Sequence, residues 1–245
     1  MEPLSPNASR FTIGDANFVI DISATYHRRP SDSDAFTLVK TPEYLNLYME
    51  LARSFKPRTI LELGVFQGGG YVFLDQVFQP DSMSAVELSP KPVEPLVDYC
   101  TARSSRVVHW GKSQTDAATL KGAVGMDLGG RLDLVVDDAS HSYPETRESF
   151  TILYPLLAPG GYYIIEDWPW SHGPLYQAEG APRADKTALT TLLFDLIMLH
   201  GSANLIAELR VYRPFLMVRK ALSATAVPSD FWQLIRDRGR PHPQI

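Results

Sequence analysis

Cysteine is nearly absent from this 245-residue chain, with Cys100 standing alone. One thiol closes no disulfide within the chain and assembles no thiolate zinc or iron–sulfur site. A reducing compartment is therefore the default expectation. Long apolar runs are missing too: none approaches a membrane span, and Met1 to Asn7 lack the basic and apolar regions of an export signal. These absences lead to an expected cytoplasmic location without membrane association. Blocks of Lys and Arg are likewise missing. Against 28 acidic residues there are 23 basic ones, for a formal net charge of −5, which argues against DNA or RNA as a partner. A small, neutral or metal-chelating substrate fits better. The 44% of hydrophobic residues exceeds what a disordered tail carries and suffices for one domain with a sizeable core.

From Thr59 onward, short β-rich runs alternate with segments of helical length, the order of an α/β fold with a mostly parallel sheet. The expected strands are 58–64, 82–87, 106–110, 132–138 and 161–167. The helices between them are Gly69 to Gln79, Pro92 to Ser104, Thr115 to Val124 and Pro144 to Leu157. A further helix, Pro42 to Phe55, precedes the first strand, with Tyr44, Leu47, Tyr48 and Leu51 at 3–4 spacing. After the fifth strand, the stretch 168–186 is rich in Pro, Gly, Trp and charge, and is long for a structureless connection. Such loops are usually lids or binding loops. An apolar helix, Thr187 to His200, then leads to two β-like runs, 204–212 and 214–219, whose Arg213-Pro214 joint suggests an antiparallel pair. The first forty residues hold a candidate hairpin, Arg10 to Ile13 and Asn17 to Ile22, and read as an extension that caps the core or the site. Phe231, Trp232, Leu234 and Ile235 offer either a contact with a second subunit or a fold back onto their own core.

Glu62-Leu63-Gly64-Val65-Phe66-Gln67-Gly68-Gly69-Gly70 follows a strand and opens a helix, where glycines permit a sharp turn and close approach of backbone to a ligand. The spacing is not G-x-G-x-x-G. A carboxylate at Glu62 would repel a pyrophosphate but could hold a cationic amine. Glu87 ends the next strand roughly twenty residues after Gly64, a natural reach for the hydroxyls of a ribose. Two later strand ends carry paired acids: Asp137-Asp138, with His141 close behind, and Glu166-Asp167. In a parallel sheet these ends are neighbours at the ligand-binding edge. Carboxylates brought that close need a cation, and oxygen ligands suit Mg²⁺, Mn²⁺ or Ca²⁺ rather than zinc. Alternation along a strand keeps Asp137 and Asp138 from facing one ion together. Asp137 reads as a strand-end carboxylate accepting backbone N–H groups, and Arg147 and Glu148 as a surface pair. The aromatic and imidazole groups of Trp168, Trp170, His172 and Tyr176 could stack on a substrate ring or pack the loop. Tyr26, His27 and Arg28 are further candidates for the same cleft.

An acid near the first glycine and another after the second strand resemble the class I S-adenosylmethionine methyltransferases over Pro42 to about Lys220. The resemblance implies a Rossmann-like sheet with helices on both faces and an antiparallel C-terminal strand. It also implies S-adenosylmethionine held by Glu62, Gly64, Gly68 and Glu87, with Ser113 and Gln114 near the adenine. Within that class, Val136-Asp137-Asp138-Ala139-Ser140-His141 and Pro159 to Asp167 resemble the metal-dependent sugar O-methyltransferases of macrolide biosynthesis and the cephalosporin-hydroxylase-type proteins. That resemblance implies magnesium at Asp138, Glu166 and Asp167, and His141 as general base. The chain is thus expected to divide into residues 1–41 as a cap, 42–222 as the methyltransferase domain with a lid at 168–186, and 223–245 as a tail. Ala139 stands where the group usually has glycine, and a large auxiliary N-terminal domain is missing. The expected reaction is methyl transfer to a hydroxyl of a sugar diol or catechol-like molecule. Its rivals are a nicotinamide-dependent oxidoreductase and a non-catalytic cofactor-binding partner protein, and a homo-oligomer stays open.

Overall fold

A computed structural model describes residues 2–23, 28–176, 180–181, 184–237 and 240–241. Its centre is a seven-stranded sheet. Five strands are parallel: β4 (Thr59–Leu63), β5 (Ser82–Glu87), β6 (Arg106–Trp110), β7 (Leu134–Asp137) and β8 (Tyr162–Glu166). They are preceded by β1 (Arg10–Ile13), β2 (Ala16–Ile20) and β3 (Phe36–Leu38), which form a separate small sheet, and are followed by β9 (Ile206–Val211) and β10 (Phe215–Lys220). The order across the large sheet is β6-β5-β4-β7-β8-β10-β9. β10 pairs antiparallel with both β8 and β9, so one reversed strand is inserted near the edge.

β4, β7 and β8 are buried at every position, as strands covered on both faces require. One face carries α1 (Pro42–Ser54), α2 (Gly69–Phe78) and α3 (Glu94–Thr101). The other carries α4 (Ala117–Gly122), α5 (Tyr143–Leu153) and α6 (Thr190–Ser202). α1 starts where the sequence signals it: Thr41 accepts the Tyr44 N–H at 3.3 Å, and Pro42 occupies the first helical position, where its missing N–H costs nothing. The chain leaves β4 at the middle of the sheet and continues to β5 on one side, while β7 lies on the other. This topological switch opens a crevice at the carboxyl ends of the strands.

The Arg10 to Ile13 hairpin forms as expected, but its neighbour β3, pairing parallel to β2, is too short to read from periodicity. The small sheet packs on α2, which places the end of β3 beside the crevice. Phe231 and Trp232 pack against Phe150, Phe231 also against Tyr154, and Ile235 is buried in the same core cluster, so the fold-back reading holds for these positions. No helix among the described residues is long and apolar enough to cross a membrane.

Lys220 on β10 is 1% exposed, and its ammonium donates to the carbonyls of Tyr154, Pro155 and Leu157 at 3.3, 3.0 and 2.6 Å. It caps the end of the helical turn after α5, where carbonyls otherwise lack donors. Burial brings its pKa down to about 8. Lys220→Met leaves those acceptors unpaired and should destabilise the protein by about 2–4 kcal/mol in urea unfolding. With the folded pKa below the unfolded one, the unfolded chain binds more protons between pH 8 and 10.5. The wild type should therefore gain stability relative to the variant as the pH rises through that window.

Candidate active site

Two cavities meet at the crevice. The first, about 230 Å³, is lined by Lys40, Tyr44, Glu62, Asp138, His141 and Asp167 among others. The second, about 470 Å³, is lined by Glu87, Lys112, Ser113, Gln114, Ser140 and Glu145 among others. Gly64, Phe66, Asp138 and Ala139 border both, making one continuous cleft. Three non-glycine residues on its walls, Phe66, His141 and Asp167, hold φ of 47°, 51° and 52°. Backbone of this kind costs roughly 1–3 kcal/mol per residue and persists where the surroundings impose it, typically at functional sites.

The glycine turn behaves as its sequence suggests, but not glycine by glycine. Gly64 has φ of +83°, and a Cβ there would lie 2.4 Å from the Asp138 carbonyl oxygen, so a side chain would drive the ends of β4 and β7 apart. Gly68 caps α2 in the left-handed region against Leu96 and lines neither cavity; Gly69 and Gly70 line the first one instead. Glu62 is 1% exposed and its Oε2 has no hydrogen-bond partner. Burial, and then the charge of Asp138, raise its pKa well above the carboxylate range. An orphaned acid aimed at a glycine turn is what a bound ammonium would satisfy.

Glu87 is committed more firmly. Its Oε2 accepts the N–H groups of Val65 and Phe66 at 2.9 and 3.1 Å, and its Oε1 that of Ser89 at 2.8 Å. It thus braces the glycine turn while facing the larger cavity. Ser113 accepts the Thr115 N–H at 3.2 Å in a local turn. Gln114, 7% exposed, donates to Asp137 at 3.2 Å and accepts the Ser140 N–H at 2.9 Å, binding the β7 end to the loop after β6.

Alternation separates the first acid pair. Asp137 turns toward α5, where Ser149 and Tyr163 hydroxyls donate to it at 2.6 and 3.1 Å. Its partners are chiefly side chains rather than the backbone N–H groups expected. Burial lifts its pKa to about 6 in spite of those donors. Asp138 turns toward α1, into the first cavity.

Around Asp138 the expectation of clustered acids is met in an unexpected form. Lys40 Nζ donates to Asp138 Oδ2 at 2.6 Å and also to Glu166 Oε2. Tyr48 donates to the other oxygen of Glu166 at 2.5 Å. Glu166, 1% exposed, therefore spends both oxygens inside the protein. Burial and the charge of Asp138 raise its pKa, against the pull of Lys40. Burial alone would lower the pKa of Lys40, but Asp138 and Glu166 more than offset it and hold the ammonium charged. The shared cation that close carboxylates demand is here supplied by the chain.

Asp138 Oδ1, His141 Nε2 and Asp167 Oδ2 form a second group. The imidazole stands 3.7 Å from Asp138 and 4.0 Å from Asp167, and one ligand atom of each of the three lies within 4.8 Å of the others. A six-coordinate ion with bonds of about 2.1 Å spaces its ligands by roughly 3–4 Å, so the Asp138 and Asp167 oxygens could hold a hard divalent cation with the imidazole beside it. Of the three expected ligands, Asp138 and Asp167 are brought together, and Glu166 faces Lys40 and Tyr48 instead. His141 Nδ1 is buried with no hydrogen-bond partner.

Trp170 donates to the His141 carbonyl at 2.7 Å and Trp168 to the Tyr212 carbonyl at 2.8 Å, so both indoles pack the loop. His172 bonds Thr190 at 2.5 Å, and Tyr176 packs against Trp170 with ring centroids 4.9 Å apart. Arg147 pairs with Asp195 at 3.5 Å and covers the Trp232 ring, rather than forming the surface pair with Glu148. Arg28 reaches the cleft over the Phe66 ring; Tyr26 and His27 lie outside the described residues. Lys40 and Tyr48 were not visible as site residues. Tyr48 reads as one more apolar position of α1, and Lys40 belongs to no motif.

Residues 61–168 match the family model described as a methyltransferase domain. The chain is 35% identical over 82 residues to an 8-demethyl-8-alpha-L-rhamnosyl tetracenomycin-C 2'-O-methyltransferase of Streptomyces olivaceus, covering 34% of this chain and 21% of that protein. It is 27% identical over 184 residues to a 3'-O-methyltransferase of the same organism, covering 72% of this chain and 44% of the relative. The chain thus spans less than half the length of these two relatives. Among solved structures, the MycE methyltransferase of mycinamycin biosynthesis, in complex with Mg and SAH, aligns with a TM-score of 0.54 at 22% identity, covering 78% of this chain and 52% of that one. The O-methyltransferase TomG of Streptomyces achromogenes, in complex with SAM, aligns at 0.52 and 20% identity over 75% and 81%. At these identities the structural likeness speaks for the fold. Residues 61–168 thus match a methyltransferase domain, and the strand order around them is that of the Rossmann-like methyltransferase structures to which the chain is similar.

Proposed function

We propose that this protein transfers the methyl group of S-adenosylmethionine to a hydroxyl of a small molecule, a sugar carrying a vicinal diol or a catechol-like natural product, with a divalent cation at the acidic cluster. The observation that carries the reading is one cavity holding both the unpartnered Glu62 and the Asp138–His141–Asp167 group, so an amine-binding acid and a proton acceptor face the same space. The relatives named for 2'- and 3'-O-methylation of a rhamnosyl group support a diol acceptor.

When bound, the cofactor would supply the electrophilic methyl, and Mg²⁺, Mn²⁺ or Ca²⁺ would supply charge that lowers the pKa of the acceptor hydroxyl. The remaining work falls to the chain. Glu62 pairs with the cofactor's ammonium, and Glu87 shapes the turn beside its ribose. Ser113 and Gln114 border the space for the base, with Gln114 serving mainly to tie β7 to its neighbour. Gly64 and Gly68 keep the turn tight. Asp138 and Asp167 would hold the cation, and Glu166 lies beside them, bonded to Lys40 and Tyr48. His141 takes the hydroxyl proton at Nε2 as general base. In this reading residues 1–41 cap the cleft, 42–222 carry the chemistry with 168–186 as a lid, and 223–245 are a C-terminal tail whose Phe231, Trp232 and Ile235 join the core.

Glu62→Gln should weaken S-adenosylmethionine binding about 10- to 100-fold, the loss of a buried charge-assisted hydrogen bond. It should also raise the melting temperature of the ligand-free chain, because the cost of burying the acid disappears. Calorimetry and thermal denaturation read the two effects separately. The function itself is tested with labelled S-adenosylmethionine and a panel of rhamnosides and catechols. Transfer to a diol acceptor that collapses with EDTA and returns with Mg²⁺ is the expected result. Cofactor binding without transfer to any hydroxyl would favour a non-catalytic partner role, and transfer that survives thorough chelation would remove the cation from the chemistry.

A further inference from the structure

Lys40 stands at the end of the small N-terminal sheet, two residues past β3 and directly before the Thr41 cap of α1. Its side chain is 10% exposed and its ammonium bridges Asp138 Oδ2 and Glu166 Oε2, the two carboxylates separated from it by 98 and 126 residues of chain. The Tyr44 ring lies 5.0 Å away and closes the pocket from the α1 side. With Tyr48 on its other oxygen, each oxygen of Glu166 already accepts a hydrogen bond from the chain. Asp138 keeps only Oδ1 for the cluster it forms with His141 and Asp167. A second positive charge entering that cluster would share Asp138 with the ammonium at hydrogen-bonding distance. Like charges that close in a partly buried site repel strongly.

We infer that Lys40 is a positioning residue that sets the cation affinity of the site: its ammonium competes with a divalent ion for Asp138 and Glu166, and loading the ion draws Lys40 away from that pair. The inference rests on the reading of the acidic cluster as a cation site. It gives the N-terminal segment a role beyond covering the cleft, since the residue that moves is anchored beside β3, whose Thr37 carbonyl lies against Gly69 at the start of α2.

The test is Mn²⁺ binding, followed by calorimetry and by the electron paramagnetic resonance signal of the free ion, on the wild type, Lys40→Met and Lys40→Arg. Lys40→Met is expected to bind Mn²⁺ at least ten-fold more tightly than the wild type. Lys40→Arg, which keeps the charge, is expected to stay within about three-fold of the wild type. An unchanged or weaker affinity in Lys40→Met, with measurable wild-type binding, overturns this inference and leaves the cation site standing. Binding by none of the three overturns both. Should Lys40→Met fail to fold, the wild type suffices: acylation of Lys40 by an amine-reactive reagent, read by peptide mass spectrometry, should speed up when Mg²⁺ is added. An unchanged rate contradicts the exchange.

Discussion

Replacing His141 with alanine is expected to lower kcat for methyl transfer by about 10²- to 10⁴-fold, the usual contribution of a positioned general base. S-adenosylmethionine affinity should stay within a few-fold of the wild type, because the Glu62 pocket and the glycine turn lie elsewhere on the cavity wall. The imidazole is well placed for this role. Its Nε2 faces Asp138 and Asp167 at 3.7 and 4.0 Å, close enough to feel both charges yet beyond hydrogen-bonding length from either. A substrate hydroxyl can therefore approach it without displacing a partner. Its left-handed backbone, φ of 51°, is held by the Trp170 indole on its carbonyl. If turnover survives the substitution, the proton leaves by another route.

Asp138→Asn should be the second severe change, and its signature differs. Asp138 joins three partners: Lys40 directly, Glu166 through Lys40, and the His141–Asp167 group. Removing its charge should cut kcat/KM at least 100-fold and weaken Mn²⁺ binding by 10- to 100-fold. It should also cost about 1–3 kcal/mol of stability, because Lys40 is left with one buried partner. Asp167 is 55% exposed at its side chain and pairs with no lysine among the described residues. Asp167→Asn should therefore lose activity and cation affinity while keeping the melting temperature within about a degree. Equal destabilisation in both variants would mean that the cluster serves the fold rather than an ion.

The comparison of sequence with structure follows the range of the forces involved. Buried strands announce themselves locally, as unbroken apolar runs, and each of the parallel strands falls within a residue or two of its expected span. The acids at the strand ends were legible for the same reason, since topology alone brings such ends to one edge. What escaped was pairing over distance. Lys40 meets its carboxylates only because a three-residue strand, too short for any periodic signal, sets its position beside α1. The need for a cation between close carboxylates was readable, whereas its source inside the chain was not. Gln114 looked like a ligand contact because it follows the right strand, yet its amide is spent on Asp137 and on the Ser140 backbone. The left-handed conformations of Phe66, His141 and Asp167 were hidden as well, because local preference assigns that region to glycine and only the surrounding structure forces it on other residues.

The central claim is that the cleft running from Glu62 to Glu87 binds the methyl-donor nucleoside and not a nicotinamide dinucleotide. Titrating the purified chain by calorimetry with S-adenosylhomocysteine, and in parallel with NAD, addresses it directly. One molecule of S-adenosylhomocysteine bound per chain, with no heat from NAD, is the predicted result. A folded chain that ignores S-adenosylhomocysteine, or that takes up NAD in its place, would contradict the account.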